Sequence, residues 1–146
     1  DMNIQEIKAL WEVDCKINDA YIDIESAKIS ELFYRYQNIL FLETENLKKI
    51  EQHFSRKKLL LYKYYNGWCT KEELETLGRT QWSQETRKGD INLYLEADVD
   101  YQHVEKVLWS QQHLCKYVEQ IISILNKRSF DLKNIIEYRK WTGGMN

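Results

Sequence analysis

The stretch ISELFYRYQNILFLETENLKKIEQHFSRKKLLLYKYYNG, residues 29–67, decides the fold class of this chain. Its apolar residues recur in alternating steps of four and three, and nine of the eleven positions in the series are apolar. Such a repeat is typical of a helix with a packing seam, and an Asn-Gly pair commonly ends a helix. We therefore predict one long helix from about residue 29 to Asn66-Gly67. Its seam consists of Ile29, Phe33, Tyr36, Leu40, Glu43, Leu47, Ile50, Phe54, Lys57, Leu61 and Tyr64.

A second seam of the same period predicts another long helix, which starts near Asp90. Eight of its nine positions are apolar, and further apolar residues widen the face beyond what one partner helix needs. After Lys127-Arg128, Ser129 is a potential N-cap for a final short helix through Trp141, closed by Gly143-Gly144. The seam is Ala97, Tyr101, Val104, Leu108, Gln111, Cys115, Val118, Ile122 and Leu125, widened by Val107, Leu114, Ile121 and Ile124.

The composition agrees with a helical chain. The 146 residues include no proline and five glycines, with 30% charged and 43% hydrophobic residues, which favours long uninterrupted helices over turn-rich β structure. We predict an all-α fold of long antiparallel helices with heptad seams plus short N- and C-terminal helices. The length suits a single domain, residues 1–146, made of N-terminal helices (1–65), a polar connection (66–92) and C-terminal helices (93–146).

Two shorter elements complete this prediction. An amphipathic helix with Ile4, Ile7, Leu10 and Trp11 opens the chain, and it breaks near residues 18–21. Inside the polar connection, Thr70 followed three residues later by Glu73 is a capping-box signature, and Gly78 stands where a left-handed C-terminal cap belongs. The rest of the connection is predicted to be mobile loop.

Few residue patterns point to catalysis or to a cofactor. Cys15, Cys69 and Cys115 are far apart and form no CxxC pair, so neither a disulfide framework nor structural zinc is expected. The three histidines lie outside any HExxH motif, and the glycines form neither GxxxxGK[ST] nor GxGxxG. We expect a non-enzymatic protein without cofactor or metal. With no apolar run near 18 residues, a soluble, untargeted protein of a reducing cytoplasm is expected.

The acidic run at residues 96–100 presents one alternative, a magnesium site of a nuclease. If Asp98 and Asp100 lie on one helix, however, they point about 200° apart and do not converge on one ion. Acidic residues in the first turns of a helix also interact favourably with the positive end of its dipole. We therefore favour this structural interpretation, and a metal-dependent nuclease using these two carboxylates is the weaker one.

Basic residues are concentrated near the end of the first long helix, in RKKLLLYKYYNGW, residues 56–68. Lys49, Arg56 and Lys63 recur every seven residues and form what we call the basic stripe, with Lys48 and Tyr62 beside it. Residues 48–65 hold six basic residues against one acidic residue, a net charge of +5, whereas residues 1–25 carry −5. The chain as a whole is only −2, so its charge is strongly polarised along the sequence.

This combination of charges and rings is typical of a surface that binds single-stranded nucleic acid. Lysine and arginine release counterions from phosphates, and rings such as Tyr62, Tyr65 and Trp68 stack on unpaired bases without reading their sequence. The alternative is structural, because lysines on an outer helix face are ordinarily solvated and tyrosines near a helix end commonly complete a core. A symmetric assembly of several copies would align weak patches into one track.

Four segments in order resemble the UvsY family of recombination mediators from tailed phages. They are NIQEIKALWEVDCKI (residues 3–17), KYYNG (63–67), YLEADVDYQHVEKVL (94–108) and NKRSFDLKNIIEYRKWTGG (126–144). The resemblance covers nearly the whole chain and is weakest at residues 68–92. It implies a small, helical, non-enzymatic factor of phage recombination, repair and recombination-dependent replication, acting in the cytoplasm of the infected bacterial host.

The resemblance also implies partners. Members bind single-stranded DNA as ring-like homo-oligomers of roughly six or seven subunits, and they help a RecA-like recombinase of the UvsX type to load onto DNA covered by single-strand-binding protein. Carried onto this sequence, the expected DNA-binding residues are Lys48, Lys49, Arg56, Lys57, Lys58, Tyr62, Lys63 and Tyr65. Because Leu59–Leu61 interrupt the basic run, and because Lys57 falls on the seam, these positions match the family only loosely.

Oligomerisation in the family depends on the C-terminal part. The expected contacts here are Leu114, Ile121, Ile124, Leu132, Ile135, Ile136 and Trp141, and the alternative for these residues is a monomeric core. A rival hypothesis for the whole chain is a helical scaffold or adaptor that binds only protein, in which the lysines serve solubility. Such an adaptor would ignore single-stranded DNA, and the nuclease would cut it only with a divalent metal.

Overall fold

A computed structural model describes residues 2–144 of the chain, and within this range it contains helices but no strand. The predicted all-α class is confirmed. Five α-helices follow one another, with a single 3₁₀ turn at Asp19–Tyr21. They are α1 (Ile4–Asp14), α2 (Ile22–Tyr65), α3 (Lys71–Leu77), α4 (Ile91–Ala97) and α5 (Val99–Gly144).

The first helices begin and end at local signals in the sequence. Asn3 and Glu6 form a capping box at the start of α1, with each side chain accepting a hydrogen bond from the other's backbone N–H. The predicted break near residues 18–21 is confirmed, because Asn18 caps the 3₁₀ turn there. The predicted start of α2 near Ile29 is wrong by one heptad, since this turn leads directly into a helix that begins at Ile22.

The small helix α3 is confirmed with both of its predicted ends. The Thr70 hydroxyl accepts from the Glu73 backbone N–H at 3.2 Å, and the Glu73 carboxylate accepts from the Thr70 N–H at 3.0 Å. Gly78 adopts φ +67°, the left-handed conformation that glycine adopts without steric strain. The segment after it is a loop, as predicted, but it is anchored to the core because Trp82 packs against the buried tyrosines of α2.

The predicted second long helix is divided at Asp98. A short helix, α4, ends at Ala97, Asp98 is extended with ψ 130°, and α5 starts at Val99. The Asp98 carboxylate accepts from the backbone N–H groups of Asp100 and Tyr101, so it caps α5. A regular apolar period runs across this break, which is why the period alone did not reveal it.

The predicted final short helix is wrong, because α5 continues through residues 127–129 to Gly144. Ser129 is exposed and lies inside the helix instead of capping a new one. Leu125 and Leu132, seven residues apart on either side of it, are both buried. Packing of this continuous stripe outweighs the weak local preference of one serine for a cap.

The chain separates into two compact units. Residues 1–45 and 113–146 form the first unit, and residues 46–112 form the second, so each long helix contributes to both. In the first unit, Ile7 and Tyr36 are buried with residues from the segment 114–125 in the middle of α5, and a smaller cluster joins Ile22, Ile29 and Leu132. In the second unit, Leu61, Tyr64 and Tyr65 of α2 are buried with residues of α3, α4 and α5.

The one acidic position of the α2 seam, Glu43, has a structural use. It lies in the first unit, is buried, and accepts a hydrogen bond from the backbone N–H of Met2 at 3.1 Å. Asp14 serves the same unit by accepting from Tyr36 Oη and from Arg35, both at 2.8 Å. Buried carboxylates are thus paired with donors, as folding in a low-dielectric interior requires.

Candidate nucleic-acid interface

The basic residues at the end of α2 all lie in the second unit, and most are exposed. Lys48, Lys49, Arg56 and Lys58 are exposed, and Lys57 is half-buried beside the seam on which it was predicted to fall. Their side chains can meet phosphates because the helix holds them at fixed intervals and turns its apolar residues to the core. Long cationic side chains on a helix surface supply this kind of non-specific attraction.

The last residue of the basic stripe is already engaged in an ion pair. Lys63 donates to the Glu73 carboxylate at 2.7 Å, and the two side chains are only 32% and 25% exposed. This hydrogen bond, followed by the one from the Thr70 backbone N–H, lowers the pKa of the Glu73 carboxyl. A phosphate at Lys63 would therefore compete with Glu73, whereas Lys49 and Arg56 take part in none of the salt bridges within residues 2–144.

Two of the predicted aromatic residues sit at the surface or near it. Trp68 is 62% exposed, and its ring contacts the half-buried ring of Tyr62 edge-on, with centroids 6.1 Å apart. Lys58 lies four residues before Tyr62, so the two are neighbours on the helix. These three residues place a stacking surface beside a cation on one side of α2.

The structure places Tyr65 in the core, away from any surface that could meet a base. Its ring is 8% exposed and packs against Tyr64, Trp82 and Tyr94, and its hydroxyl donates to Asp98 at 2.5 Å. Burial, and then this hydrogen bond, raise the pKa of Tyr65 to about 12, so the hydroxyl stays a donor. The sequence predicts that Tyr65 stacks on a base because it lies next to basic residues. Its ring is buried, however, so it is not positioned for such stacking.

Arg79 organises the surroundings of Tyr65, and the sequence patterns did not single it out. Its guanidinium donates two hydrogen bonds to Asp98, at 2.6 and 3.0 Å, and one to Asp100 at 2.8 Å, and it lies over the Tyr64 ring at 5.0 Å. A lone arginine in a polar connection carries no sequence signal of such a role. The acidic residues at positions 98 and 100 were the only sequence feature that indicated a cation near them.

The geometry of Asp98 and Asp100 corrects one premise of the sequence analysis. They were expected to diverge, but Asp98 precedes α5 and is not helical, so both carboxylates reach the same guanidinium. The cation they hold is therefore a side chain of the protein. Across residues 2–144, no group of three or more histidine, cysteine or acidic side chains is placed to hold a metal ion.

The residues predicted to mediate oligomerisation fall into two groups in the first unit. Leu114, Ile121 and Leu132 are buried inside the unit, and Ile136 is half-buried against its smaller cluster. The exposed group, which remains available to another molecule, is Ile124, Ile135 and Trp141. No helix within the described part of the chain is long and apolar enough to cross a membrane.

Comparison with known proteins places this arrangement in context. The model of a family described as "Recombination, repair and ssDNA binding protein UvsY" matches residues 10–145. A crystal structure of the bacteriophage T4 recombination mediator protein UvsY, lattice type II, superposes with a TM-score of 0.85 at 18% identity, over 98% of this chain and 99% of that chain. Lattice type IV gives 0.83 at 17% identity, over 96% and 99%. No curated protein matches the sequence.

The fold and the family match together define a helical protein of DNA recombination and repair. Two long helices with short ones between them form its framework, and exposed basic residues stand on the first of these. The chain belongs to the UvsY family of recombination, repair and single-stranded-DNA-binding proteins.

Proposed function

We propose that this chain is a non-enzymatic recombination mediator. It binds single-stranded DNA through the exposed basic residues of α2 and promotes loading of a RecA-like recombinase, of the UvsX type, onto DNA covered by phage single-strand-binding protein. The observation that carries the proposal is the set of exposed cations on α2 in a chain whose family is described as binding single-stranded DNA. Its setting is the cytoplasm of an infected bacterium.

The chemistry of such a mediator needs no bond-breaking step. A protein that binds a strand in a bent or wrapped form stabilises that form by its differential affinity for it. The single-strand-binding protein then holds the distorted strand less well, and recombinase nucleation becomes easier. A homo-oligomer, ring-like as in the family resemblance, would present several basic stripes to one strand, and each added contact raises the local concentration of the others.

The residues of the proposed interface are not expected to contribute equally to DNA binding. Lys48, Lys49, Arg56 and Lys58 are the exposed cations, and Tyr62 with Trp68 supplies the stacking surface. Lys57 and Lys63 contribute less, since the first is half-buried and the second is paired with Glu73. Tyr65 is omitted because its ring is in the core.

The test is fluorescence anisotropy of a labelled single-stranded oligonucleotide at two salt concentrations, with duplex DNA as control. Arg56→Ala and Lys58→Ala sample two sides of α2, because residues two apart point about 200° apart. Each should weaken binding to all sequences alike and reduce the slope of log K against log salt by up to about 0.7, the value for one single-strand phosphate contact. Lys116→Ala, an exposed lysine of the first unit, is the matched control.

An unchanged salt slope in both variants would remove α2 from the interface. Absence of binding at low salt, with the oligomeric state verified, would favour the scaffold or adaptor. Cleavage of the strand only when a divalent metal is added would instead support the nuclease.

A further inference from the structure

A cleft in the second unit stands beside the basic stripe. It lies between α2 and α5 and has a volume of about 270 Å³. At about 30 Å³ per water molecule this equals roughly nine waters, the size of one or two fused rings and just under the lower end of the range for ligand pockets, about 300 Å³. Six residues line it: Lys49, Ile50, His53, His103, Val104 and Val107.

The lining residues are arranged with an apolar floor and a polar mouth. Val104 is buried, Ile50 is half-buried, and Val107 is 42% exposed. Around them, Lys49, His53 and His103 are exposed, so the cleft opens to solvent between a cation and two imidazole rings. An apolar slot that ends in planar rings and a cation fits a flat heteroaromatic ring attached to a phosphate.

The position of the cleft relative to the basic stripe supports the same ligand. Lys49 belongs to both, and His53 lies four residues after Lys49 and three before Arg56, so these three are neighbours on one face of α2. A strand whose phosphates follow Lys49 and Arg56 passes the mouth of the cleft. Its bases are then within reach of Val107 and His103.

The lining of the cleft differs from that of two others in the first unit. Of the described residues, the six that line it include one cation and no carboxylate. One of the other two clefts is lined by Asp23 together with Arg139 and Lys140, and the second by three carboxylates and three cations. A phosphate at Lys49 therefore meets no carboxylate among the residues that line the cleft of the second unit, and a carboxylate there would repel it.

We propose that this cleft receives one unpaired nucleobase of a bound single strand, stacked between His53 and His103 over Val104 and Val107, with its phosphate at Lys49. The proposal rests on the single-strand binding proposed above and adds a site for the base. It also supplies a stacking partner in place of Tyr65, whose ring lies in the core. Insertion of a base from a duplex would require unpairing, so the cleft favours single strands over duplex.

The experiment compares two oligonucleotides of equal length and charge, oligo(dT) and the same backbone with abasic sites, titrated by anisotropy. The wild-type protein should bind oligo(dT) at least about fivefold more tightly, the low end of the stabilisation that one stacked base gives. Val107→Trp fills the cleft from an exposed position and should reduce this preference to the part that stacking on Tyr62 and Trp68 supplies, without changing the salt slope. Val99→Trp, at an exposed position of the same helix that does not line the cleft, should retain it.

The outcomes separate this proposal from the proposed function. Equal, salt-dependent binding of both oligonucleotides by the wild type overturns the base site and leaves single-strand binding intact. A preference that persists undiminished in Val107→Trp also overturns it, because the bases are then held only outside the cleft. If neither oligonucleotide binds, the proposed function fails together with the site. Circular dichroism of both tryptophan variants verifies that the helices are intact.

Discussion

Asp98 shows how one residue can join several parts of a small unit. Its side chain is 1% exposed, yet it is charged, and its oxygens accept from Arg79, from Tyr65 and from two backbone N–H groups of α5. Burial opposes its ionisation, but the hydrogen bonds from Arg79 and Tyr65 outweigh it, so the pKa of the carboxyl is lowered. A buried charge is tolerated when its partners satisfy it in this way.

Replacing this carboxylate should be strongly destabilising. We expect Asp98→Asn to lower the free energy of unfolding by about 3 kcal/mol, because it leaves the Arg79 guanidinium without its main partner. Asp100→Asn removes a half-exposed partner of the same guanidinium and should lower it by less than about 1 kcal/mol. Urea denaturation followed by circular dichroism measures both, and equal losses would contradict the central place given to Asp98.

The same residue predicts a pH dependence with a definite sign. Since the pKa of Asp98 is lower in the folded state than its ordinary value of about 3.9, its contribution is present above that value and is lost as the pH falls below it. The difference in stability between wild type and Asp98→Asn should therefore shrink on acidification from pH 5 towards pH 2. A constant difference across that range would show that the carboxyl is not held ionised by its partners.

A substitution at Tyr65 tests whether this residue stabilises the core or contributes to DNA binding. Tyr65→Phe keeps the ring and removes the hydroxyl that donates to Asp98, so we expect stability to fall by about 1.5 kcal/mol, the range for a hydrogen bond to a charged group. Affinity for single-stranded DNA should stay unchanged. Trp68→Ala removes an exposed ring, so it should weaken the binding of single-stranded DNA and leave the stability unchanged. A loss of affinity in Tyr65→Phe with full stability would return Tyr65 to the interface.

At the scale of elements, the helix ends follow local rules where the chain has strong end signals. The capping boxes at Asn3 and Thr70 and the left-handed Gly78 agree with their sequence signatures. Asp98 is also a cap, but a continuous apolar period concealed it. Ser129 has cap-forming character, but the buried leucines on either side keep α5 helical there. Long-range packing therefore decides the ends that local signals leave weak.

The end of α3 gives a prediction at this scale. Gly78→Ala should reduce stability by about 1 kcal/mol, because alanine is strained at φ +67° although nothing within 4 Å opposes its methyl group. Gly89→Ala is the matched control, since that position has open space and no positive φ. It should be neutral or slightly stabilising. Thermal unfolding compares the two, and equal midpoints for both variants would exclude a backbone effect at Gly78.

At the scale of the whole molecule, charge and exposed apolar residues bear on the proposal that several copies bind one strand. The basic residues 48–65 form a local region of +5 in a chain of net charge −2, so one copy attracts a strand only over a short distance. Ile124, Ile135 and Trp141 leave apolar surface on the first unit that a second copy can cover. Assembly would then multiply the weak binding of each copy.

The assembly prediction uses exposed positions so that folding is preserved. The double variant Ile124→Glu, Ile135→Glu should shift the protein to smaller species in sedimentation velocity. It should also weaken binding to long single strands by about a hundredfold, the lower end of the gain from linked sites. Leu42→Glu, at an exposed apolar residue outside the predicted set, should do neither. Unchanged sedimentation of the double variant would assign these isoleucines to the surface of a monomer.

Helical period and capping depend on residues close in the chain, so the sequence alone predicts the fold class, the two long helices and the ends marked by Thr70, Gly78 and the break near Asn18. It also located the basic residues of α2. The burial of Tyr65, the pairing of Lys63 with Glu73 and the cleft lined by His53 and His103 became visible only in the folded chain. The break at Asp98 has a local cap, but its carboxylate is also held by Tyr65 and Arg79, 33 and 19 positions away. Such pairs lie far apart in the sequence, and packing is what brings them together.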